Sequence, residues 1–274
     1  MKIIKSGINQ IYYPIEDIDK KVKGKSFKIL TKHKIKVYRG LLKSLSKDFY
    51  KSYNINRKDK LPYVIGKIAV SKNNLIYSNL NRKITNEHSD KFTHLLRYKN
   101  DSILITHKTL NKDNPKLNCR LKGLESFSPK KIILDNKLNS KLDKYILTNA
   151  KKNNTIIFYN EASKSKILSF KRKKVLLIKS RLDKSKKFDF RHILKKLFKK
   201  GCRSLLIEGG GVLTNNLLKK RVFNEFYLYK GHRTLSKFSD YLKFDDLDLL
   251  REKYKKKIKL NLKLGKDKIT LFKK

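Results

Sequence analysis

The chain has 274 residues, 39% of them hydrophobic, so it is long enough for one large domain, or a domain plus a fragment, around an apolar core. No apolar run approaches the roughly 18 residues that a membrane-spanning helix needs, and the apolar segment near Met1 is too short for a secretory signal. We therefore expect no membrane partner and a cytoplasmic location.

The formal net charge of +48 is the strongest compositional signal, and taken alone it predicts a polyanionic partner such as nucleic acid. The lysines, however, run evenly through every segment and form no single patch of the kind that nucleic-acid binding requires. We therefore expect no nucleic acid as the primary partner, although a basic RNA-binding protein stays an alternative. Cys119 and Cys202 lie far from each other and from any histidine at ligand spacing, which predicts neither a disulfide nor a metal site.

The first 60 residues predict a small α/β segment that ends at a polar break. Its predicted elements are a strand at Asn9–Pro14, a helix at Ser26–Lys32, a strand at Ile35–Tyr38 and a helix at Leu42–Tyr53. The polar run Asn54–Lys60, followed by Pro62, is the best candidate for a domain boundary.

Beyond Pro62, short β-branched runs alternate with helical patterns. Strands are predicted at Tyr63–Val70, Ser102–Thr106, Lys131–Leu134, Thr155–Tyr159, Lys174–Ile178, Leu205–Ile207 and Glu225–Tyr229, with one or two more within Ile258–Leu271. Helices are predicted at Glu87–Tyr98, at Phe188–Lys200 and after the glycines that follow Glu208. This order predicts an α/β fold with an open, mostly parallel sheet and flanking helices.

The stretch SLLIEGGGVLTNNLLKK, from Ser204 to Lys220, predicts a strand, a glycine turn and a helix. We expect its glycines to adopt positive φ and to let a ligand approach the backbone closely. The free N–H groups at the start of the helix would then favour a phosphate. On this stretch alone, a tight turn without a ligand is an equally good interpretation.

A dispersed set of polar residues could serve a phosphorylated ligand next to a nucleotide. Its members are Lys67, Arg97, Thr109, Asp113, Arg120 and Glu208. Singly, each also has a structural interpretation: Arg97 could complement a helix dipole, Asp113 could form a turn before Pro115, and Glu208 could cap the next helix.

Five segments carry a resemblance to a known family: LPYVIGKIAVS, HLLRYKNDSILI, KTLNKDNPKLNCRL, KKIILDNKL and SLLIEGGGVLTNNLLKKRVFNEFYLY. In order and spacing, from about Pro62 to Tyr229, they resemble the reductase domain of the bifunctional riboflavin biosynthesis deaminase-reductase family (RibD), whereas the region from about Gly231 matches no part of it. Upstream, EDIDKKVKGKSFKILTKHKIKVYRGLL resembles the end of that family's deaminase domain, although the zinc motifs H-x-E and P-C-x-x-C have no counterpart. The resemblance implies a deaminase remnant over residues 1–58 and a reductase domain, similar in fold to dihydrofolate reductase, over residues 59–274.

The resemblance also implies an activity, the NADPH-dependent reduction of 5-amino-6-(5-phosphoribosylamino)uracil to its ribitylamino product, by an enzyme that we expect to be a homodimer. Carried over by position, the substrate contacts are Asn81, Arg97, Leu117, Arg120 and Glu208. The cofactor contacts are Ala69, Thr109, Asp113, Asn136, Gly210, Gly211, Val212, Leu213, Thr214, Asn215 and Asn216. Asn81 and Lys83 depart from the family pattern, because they stand where it has a serine and a tryptophan.

Catalytic roles follow as hypotheses from the resemblance. Lys67 is predicted to protonate the developing amine, with Asp113 and Glu208 orienting the pyrimidine and the sugar. Arg97 and Arg120 suit the ribose phosphate, because a guanidinium binds phosphate through two parallel hydrogen bonds. A different pyrimidine or pterin substrate and an inactive nucleotide-binding paralogue are the other interpretations.

Overall fold

The computed structural model describes residues 2–78, 83–151, 154–238 and 240–274. The chain divides into two compact units, residues 1–62 and residues 63–274. None of the helices in the described ranges is both long enough and apolar enough to cross a membrane.

The first unit is a short α/β segment around one pair of parallel strands. Its elements are α1 (Lys2–Lys5), β1 (Gln10–Tyr13), α2 (Lys25–Lys32), β2 (Lys36–Arg39), α3 (Lys43–Phe49) and α4 (Lys51–Asp59). Strands β1 and β2 pair in parallel, and the rings of Tyr12 and Tyr38 stack across them with centroids 4.8 Å apart.

Two predictions of secondary structure in this unit are wrong, although the chain divides directly after Pro62. The single helix predicted up to Tyr53 is two helices, α3 and α4, that meet at Tyr50. The polar run predicted as a break is mostly helical, because it lies within α4 up to Asp59. Polar contacts hold that helix to the loop between β1 and α2: the Tyr53 hydroxyl donates to Asp17 over 3.2 Å, and Arg57 forms an ion pair with Asp19.

The second unit is built on one large sheet. Its strands are β3 (Tyr63–Val70), β4 (Leu75–Ser78), β5 (Ser102–Thr106), β6 (Lys130–Leu134), β7 (Thr155–Tyr159), β8 (Leu176–Lys179), β9 (Ser204–Ile207), β10 (Glu225–Lys230), β11 (Tyr241–Lys243), β12 (Lys256–Lys259) and β13 (Lys268–Lys273). Nine of them form a sheet in the order β12-β13-β10-β3-β9-β5-β6-β7-β8. The pairs from β10 to β8 are parallel, whereas β13 is antiparallel to both β10 and β12. The predicted α/β fold with a mostly parallel sheet is confirmed.

Helices connect these strands. They are α5 (Glu87–Tyr98), α6 (His107–Asp113), α7 (Tyr145–Thr148), α8 (Lys164–Arg172), α9 (Phe190–Lys199), α10 (Gly211–Lys219) and α11 (Leu247–Lys253), with a 3₁₀ turn at Glu125–Phe127. The sequence pattern does not predict α6 and α8, since their sequences are polar. Each begins at a side-chain cap: Thr106 accepts from the Thr109 N–H, and Ser163 accepts from the Lys166 N–H.

The core lies on the central strands. Ile103, Leu104 and Ile105 of β5 are fully buried in succession, as expected of a parallel strand covered on both faces. Helix α9 buries Ile193, Leu194 and Leu197, a spacing that places them on one helical face. A rigid central sheet therefore supports the loops that follow its strands.

The segment from residue 231 onward completes the sheet and anchors α5. Its strand β13 pairs with β10, and β12 pairs with β13 to form the outer edge of the sheet. The buried carboxylate of Asp267 accepts from the Asn86 N–H over 2.7 Å and from the Ser89 hydroxyl over 2.9 Å, at the N-terminal end of α5. The orientation of α5 therefore depends in part on this distal segment.

Candidate active site

The site lies at the carboxyl ends of adjacent parallel strands. Strand β9 pairs with β3 on one side and with β5 on the other, and β6 lies beyond β5. Glu208 follows β9, Thr109 lies just after β5, and Asn136 follows β6. Loops at this edge form the ligand-binding crevice in open parallel sheets, so the topology brings three predicted positions to one place.

The glycine turn differs from its predicted backbone conformation. None of Gly209, Gly210 and Gly211 has a positive φ; Gly210 is extended, with φ −68° and ψ 171°. Close packing explains two of them instead. A Cβ added at Gly209 would lie 2.8 Å from Leu213 Cδ2, and one at Gly211 would lie 3.1 Å from Ile76 Cδ1.

Gly210 is different because it has space beside it. The nearest atom to an added Cβ is Thr109 Oγ1, at 4.0 Å. Thr109 and Gly210, both predicted cofactor contacts, are therefore neighbours although 101 positions apart in the sequence. Packing thus leaves this one glycine open, which is the arrangement that a ligand approaching the backbone would need.

Helix α10 begins at Gly211, and its N-cap residue Gly210 provides no side-chain cap. Its first N–H groups have no acceptor within the helix, which makes its start a suitable place for an anion. Thr214 is buried and ties the helix to the turn, its N–H donating to the Gly210 carbonyl over 3.1 Å. The Asn215 amide donates to Asp246, whereas the Val212 side chain is 82% exposed.

Glu208 and Arg97 form a bidentate ion pair. Arg97 Nε and Nη2 each donate to one oxygen of the Glu208 carboxylate over 2.9 Å, and Nη1 donates to the Asn118 carbonyl over 3.3 Å. Both side chains are largely buried, at 12% and 13% exposed. Burial by itself raises the pKa of Glu208, but the charges of Arg97 and Lys67 outweigh it and lower the pKa below its ordinary value.

Lys67 lies on β3 beside this pair. Its Nζ is 4.7 Å from the centre of the Tyr229 ring. Burial lowers the pKa of the Lys67 ammonium, and Arg97 lowers it further, while the carboxylates of Glu208 and Asp90 act in the opposite direction. Lys67, Arg97 and Glu208 are therefore an electrostatically coupled group.

His94 and Asn118 join this group, although neither is among the residues predicted from the sequence. His94 Nε2 lies 3.2 Å from Arg120 Nε, and His94 Nδ1 lies 3.1 Å from the Asn118 carbonyl oxygen. The side-chain oxygen of Asn118 is buried with no hydrogen-bond partner among the described residues. The one available sequence signal was the spacing of His94, three residues before Arg97 on the same helix, which places both on one face.

The other residues predicted for the site differ in burial and in their place in the fold. Asp113 is exposed at the C-terminal end of α6, and the acids that act on the pKa of Lys67 are instead Glu208 and Asp90. Leu117 is buried with φ 53°, Ala69 is half-buried opposite Tyr229 in the sheet, and Asn216 is half-buried on α10. Lys83 is exposed, and Asn81 lies outside the described residues.

Asn136 offers a second unpaired acceptor. Its side-chain oxygen is buried and has no hydrogen-bond partner in the part of the chain that the structure describes. The neighbouring Asp135 is fully buried and fixes this loop, because its carboxylate accepts from the Asn139 N–H, the Ser140 N–H and the Ser140 hydroxyl. Across the described ranges, no three His, Cys, Asp or Glu side chains are grouped so that they could hold a metal ion.

Known proteins are similar to this chain in sequence and in fold. The chain is 29% identical over 229 residues to the riboflavin biosynthesis protein RibD of Bacillus amyloliquefaciens, covering 83% of this chain and 61% of that one. It is 30% identical over 176 residues to the 2,5-diamino-6-ribosylamino-4(3H)-pyrimidinone 5′-phosphate reductase of Aquifex aeolicus, covering 61% of this chain and 75% of the relative. The chain spans about three fifths of the length of the RibD relatives that it matches.

A solved structure has the same fold. It is the diaminohydroxyphosphoribosylaminopyrimidine deaminase/5-amino-6-(5-phosphoribosylamino)uracil reductase of Thermotoga maritima, which superposes with a TM-score of 0.76 at 22% identity over 99% of this chain and 73% of that one. The family model described as the RibD C-terminal domain matches residues 62–253. That match extends beyond Gly231, so the expectation that the distal region matches nothing is wrong for residues 231–253. The chain belongs to the RibD C-terminal domain family.

Proposed function

We propose that this chain is a riboflavin biosynthesis reductase that uses NADPH to reduce the ribose of a phosphoribosylaminopyrimidine to the ribityl form. The observation that carries the proposal is the coupled group of Lys67, Arg97 and Glu208 at the carboxyl edge of the sheet, beside the glycine turn. A buried carboxylate that can orient the substrate, a cation of lowered pKa that can donate a proton and an adjacent anion site are what such a reaction needs together.

The residues present fit NADPH. Gly210 leaves the backbone at the start of α10 accessible, and the helix N-terminus suits the pyrophosphate. The unpaired Asn136 oxygen supplies an acceptor, and Thr109 lies next to Gly210. Bound there, NADPH would supply the hydride that reduces C1′ of the sugar.

Lys67 supplies the proton in this proposal. Reduction of the ring-opened imine at C1′ adds a hydride to carbon and a proton to nitrogen, which turns the C=N bond into a secondary amine. A lysine of lowered pKa is a better proton donor near neutral pH than an ordinary lysine. Glu208, fixed by Arg97, would orient the sugar hydroxyls or the pyrimidine as a hydrogen-bond acceptor.

The proposed substrate is 5-amino-6-(5-phosphoribosylamino)uracil, the pyrimidine named for the reductase of the Thermotoga protein. A second candidate is the 2,5-diamino pyrimidinone, because the Aquifex relative is named as the reductase of that compound. Both carry a ribose 5′-phosphate, for which Arg120 is the proposed partner. The two differ on the pyrimidine ring, where the unpaired Asn118 oxygen could accept from an N–H donor.

A separate proposal concerns the domain organisation of the chain. We propose that residues 1–58 correspond to the end of a deaminase domain and residues 59–274 to the reductase domain. The parallel strand pair β1 and β2 and helix α2 support it, since they match in order the strands and helix expected from the resemblance. Expressing residues 59–274 alone tests it: they should keep the reductase activity, and complete loss of folding would contradict the boundary.

A substrate comparison tests the reductase proposal. Purified protein is given NADPH with the uracil compound, and separately with the 2,5-diamino compound, and the product is identified by mass as gaining two hydrogens. We expect the uracil compound to have the higher kcat/KM. A higher value for the diamino compound would replace the first substrate with the second, and turnover of neither would overturn the proposed function.

A further inference from the structure

We infer that His94 is a positioning residue for the substrate phosphate, because its imidazole accepts a hydrogen bond from Arg120 Nε and holds that guanidinium in place. The inference rests on the proposed function, which assigns the ribose phosphate to this site. It concerns one side chain of α5 and one residue of the loop before the 3₁₀ turn, 26 positions apart in the sequence.

Three polar contacts act on the imidazole, and together they favour one tautomer. Arg120 Nε carries a hydrogen in every state of the side chain, so His94 Nε2, 3.2 Å away, accepts it through a lone pair. The proton of a neutral ring then sits on Nδ1, where it donates to the Asn118 carbonyl 3.1 Å away, while the Arg120 backbone N–H, 3.2 Å from the same Nδ1, is left without this acceptor. The other tautomer would accept only that backbone N–H and would lose both of the other hydrogen bonds.

The surroundings keep the ring in that neutral state. His94 is buried, with 7% of its surface exposed. Burial, together with the charges of Arg97 and Arg120, lowers the pKa of His94, whereas the Asn118 carbonyl and the Glu208 carboxylate oppose this effect more weakly. A neutral imidazole is the only form of histidine that can accept from a guanidinium.

The two arginines of the site differ in how many of their N–H groups remain open for a ligand. Arg97 uses Nε, Nη1 and Nη2 for Glu208 and Asn118. Arg120 is exposed, and its terminal Nη1 and Nη2 groups have no partner among the residues that the structure describes. An arginine held at Nε with both terminal groups open is prepared for bidentate phosphate binding, because less side-chain freedom is lost on binding. Arg120, and not Arg97, is thus the phosphate residue that His94 serves.

The test measures phosphate binding without relying on turnover. Ribose 5-phosphate is titrated calorimetrically into wild-type protein and four variants, His94→Leu, His94→Gln, Arg120→Ala and His88→Leu, at about 0.15 M salt so that non-specific attraction to this basic protein is screened. Gln can accept from Arg120 Nε and donate to the Asn118 carbonyl, so it should restore binding. His88 is exposed on the same helix and provides the matched control.

We expect His94→Leu and Arg120→Ala to weaken binding by about tenfold or more, the scale of a hydrogen bond to a charged group. His94→Gln and His88→Leu should stay within about threefold of wild type. In the reductase assay, His94→Leu should raise KM with kcat nearly unchanged, the pattern for loss of ground-state binding. If His94→Leu does not fold, His94→Gln and His94→Asn are compared instead. The shorter Asn side chain should not reach both Arg120 Nε and the Asn118 carbonyl, so His94→Asn should bind ribose 5-phosphate more weakly than His94→Gln does.

Wild-type affinity for ribose 5-phosphate in a folded His94→Leu protein would overturn the inference, as would wild-type protein that does not bind the compound. Different results would contradict the proposed function. If phosphate binding depends on His94 but neither pyrimidine is reduced, the phosphate site is supported and the proposed reaction is wrong. If the uracil compound is reduced with an unchanged KM in His94→Leu, the reaction is supported and the proposed role of His94 is wrong.

Discussion

Lys67 is the side chain on which the proposed chemistry depends most. Replacing it with Met keeps a flexible chain of similar length beside Tyr229 and removes the proton donor. We expect kcat to fall by roughly 100-fold to 10,000-fold, the contribution of a positioned acid, with little change in melting temperature. Steady-state kinetics and thermal unfolding check both parts, and a folded variant with at least half of the wild-type kcat would remove Lys67 from the mechanism.

The same residue predicts a pH dependence. The donor must be protonated, so activity should be lost as pH rises through the pKa of Lys67. Because burial lowers that pKa, the basic limb of the kcat profile should lie below the value of ~10.4 for an ordinary lysine. A basic limb at an ordinary lysine pKa would contradict this assignment.

Gly209 and Gly210 form a matched pair of tests. Gly210→Ala meets no atom closer than 4.0 Å and has an allowed backbone conformation, so the fold should be kept while NADPH binding weakens by about tenfold. Gly209→Ala would press on Leu213 and should lower stability by about 1–3 kcal/mol. Fluorescence titration and chemical denaturation measure the two effects. Unchanged NADPH affinity in Gly210→Ala would mean that the cofactor does not approach this turn.

At the scale of elements, the Arg97–Glu208 ion pair joins helix α5 to the end of β9. Removing one partner leaves a buried charge uncompensated, so Arg97→Met and Glu208→Leu should each lower the free energy of unfolding by about 3–5 kcal/mol. The double variant should lose less than the sum of the single losses. Urea denaturation of the four proteins completes the cycle, and additive losses would indicate that the two residues act independently.

The pair also has a pH signature. The folded-state pKa of Glu208 is lowered, so its contribution to stability is fully present above the ordinary value of ~4.3 and is lost as pH falls through the lower folded value. Wild-type protein should therefore lose stability more steeply below about pH 4 than Glu208→Leu does.

Elements with strong apolar patterns could be predicted, and those fixed by local caps or distant contacts could not. Strands β3, β5 and β7 and helix α5 have the predicted bounds, since β-branched runs and a helical period are direct signals. Helix α6 depends on the Thr106 cap, and α4 depends on contacts to Asp17 and Asp19. No element was predicted over α6, and most of α4 was predicted as a break.

In the candidate site, too, the identities of some residues could be predicted from the sequence, whereas their contacts could not. The sequence and the family resemblance identified Glu208 and Arg97, but only the folded chain reveals that they bind each other, because 111 positions separate them. The triple glycine predicted the turn correctly and its φ values incorrectly, since close packing against Leu213 and Ile76, and not a positive φ, is what limits side chains at Gly209 and Gly211. His94 had no signal beyond its spacing from Arg97.

For the whole molecule, the net charge of +48 bears on cofactor choice. A strongly positive surface should favour the additional 2′-phosphate of NADPH, so we expect NADPH to bind about tenfold or more tightly than NADH. Titration at about 0.15 M salt separates a specific phosphate contact from general attraction. Equal affinities would indicate that no residue recognises the 2′-phosphate.

Transfer of deuterium tests the central claim most directly. Purified protein is incubated with NADPH that carries deuterium at both positions of the nicotinamide C4, together with 5-amino-6-(5-phosphoribosylamino)uracil, and the product is examined by NMR and mass spectrometry. The proposed reaction predicts a ribitylamino product with one deuterium at C1′, formed by wild-type protein and at least about 100-fold more slowly by Lys67→Met. A product without deuterium at C1′, or no oxidation of NADPH with either pyrimidine, would contradict it.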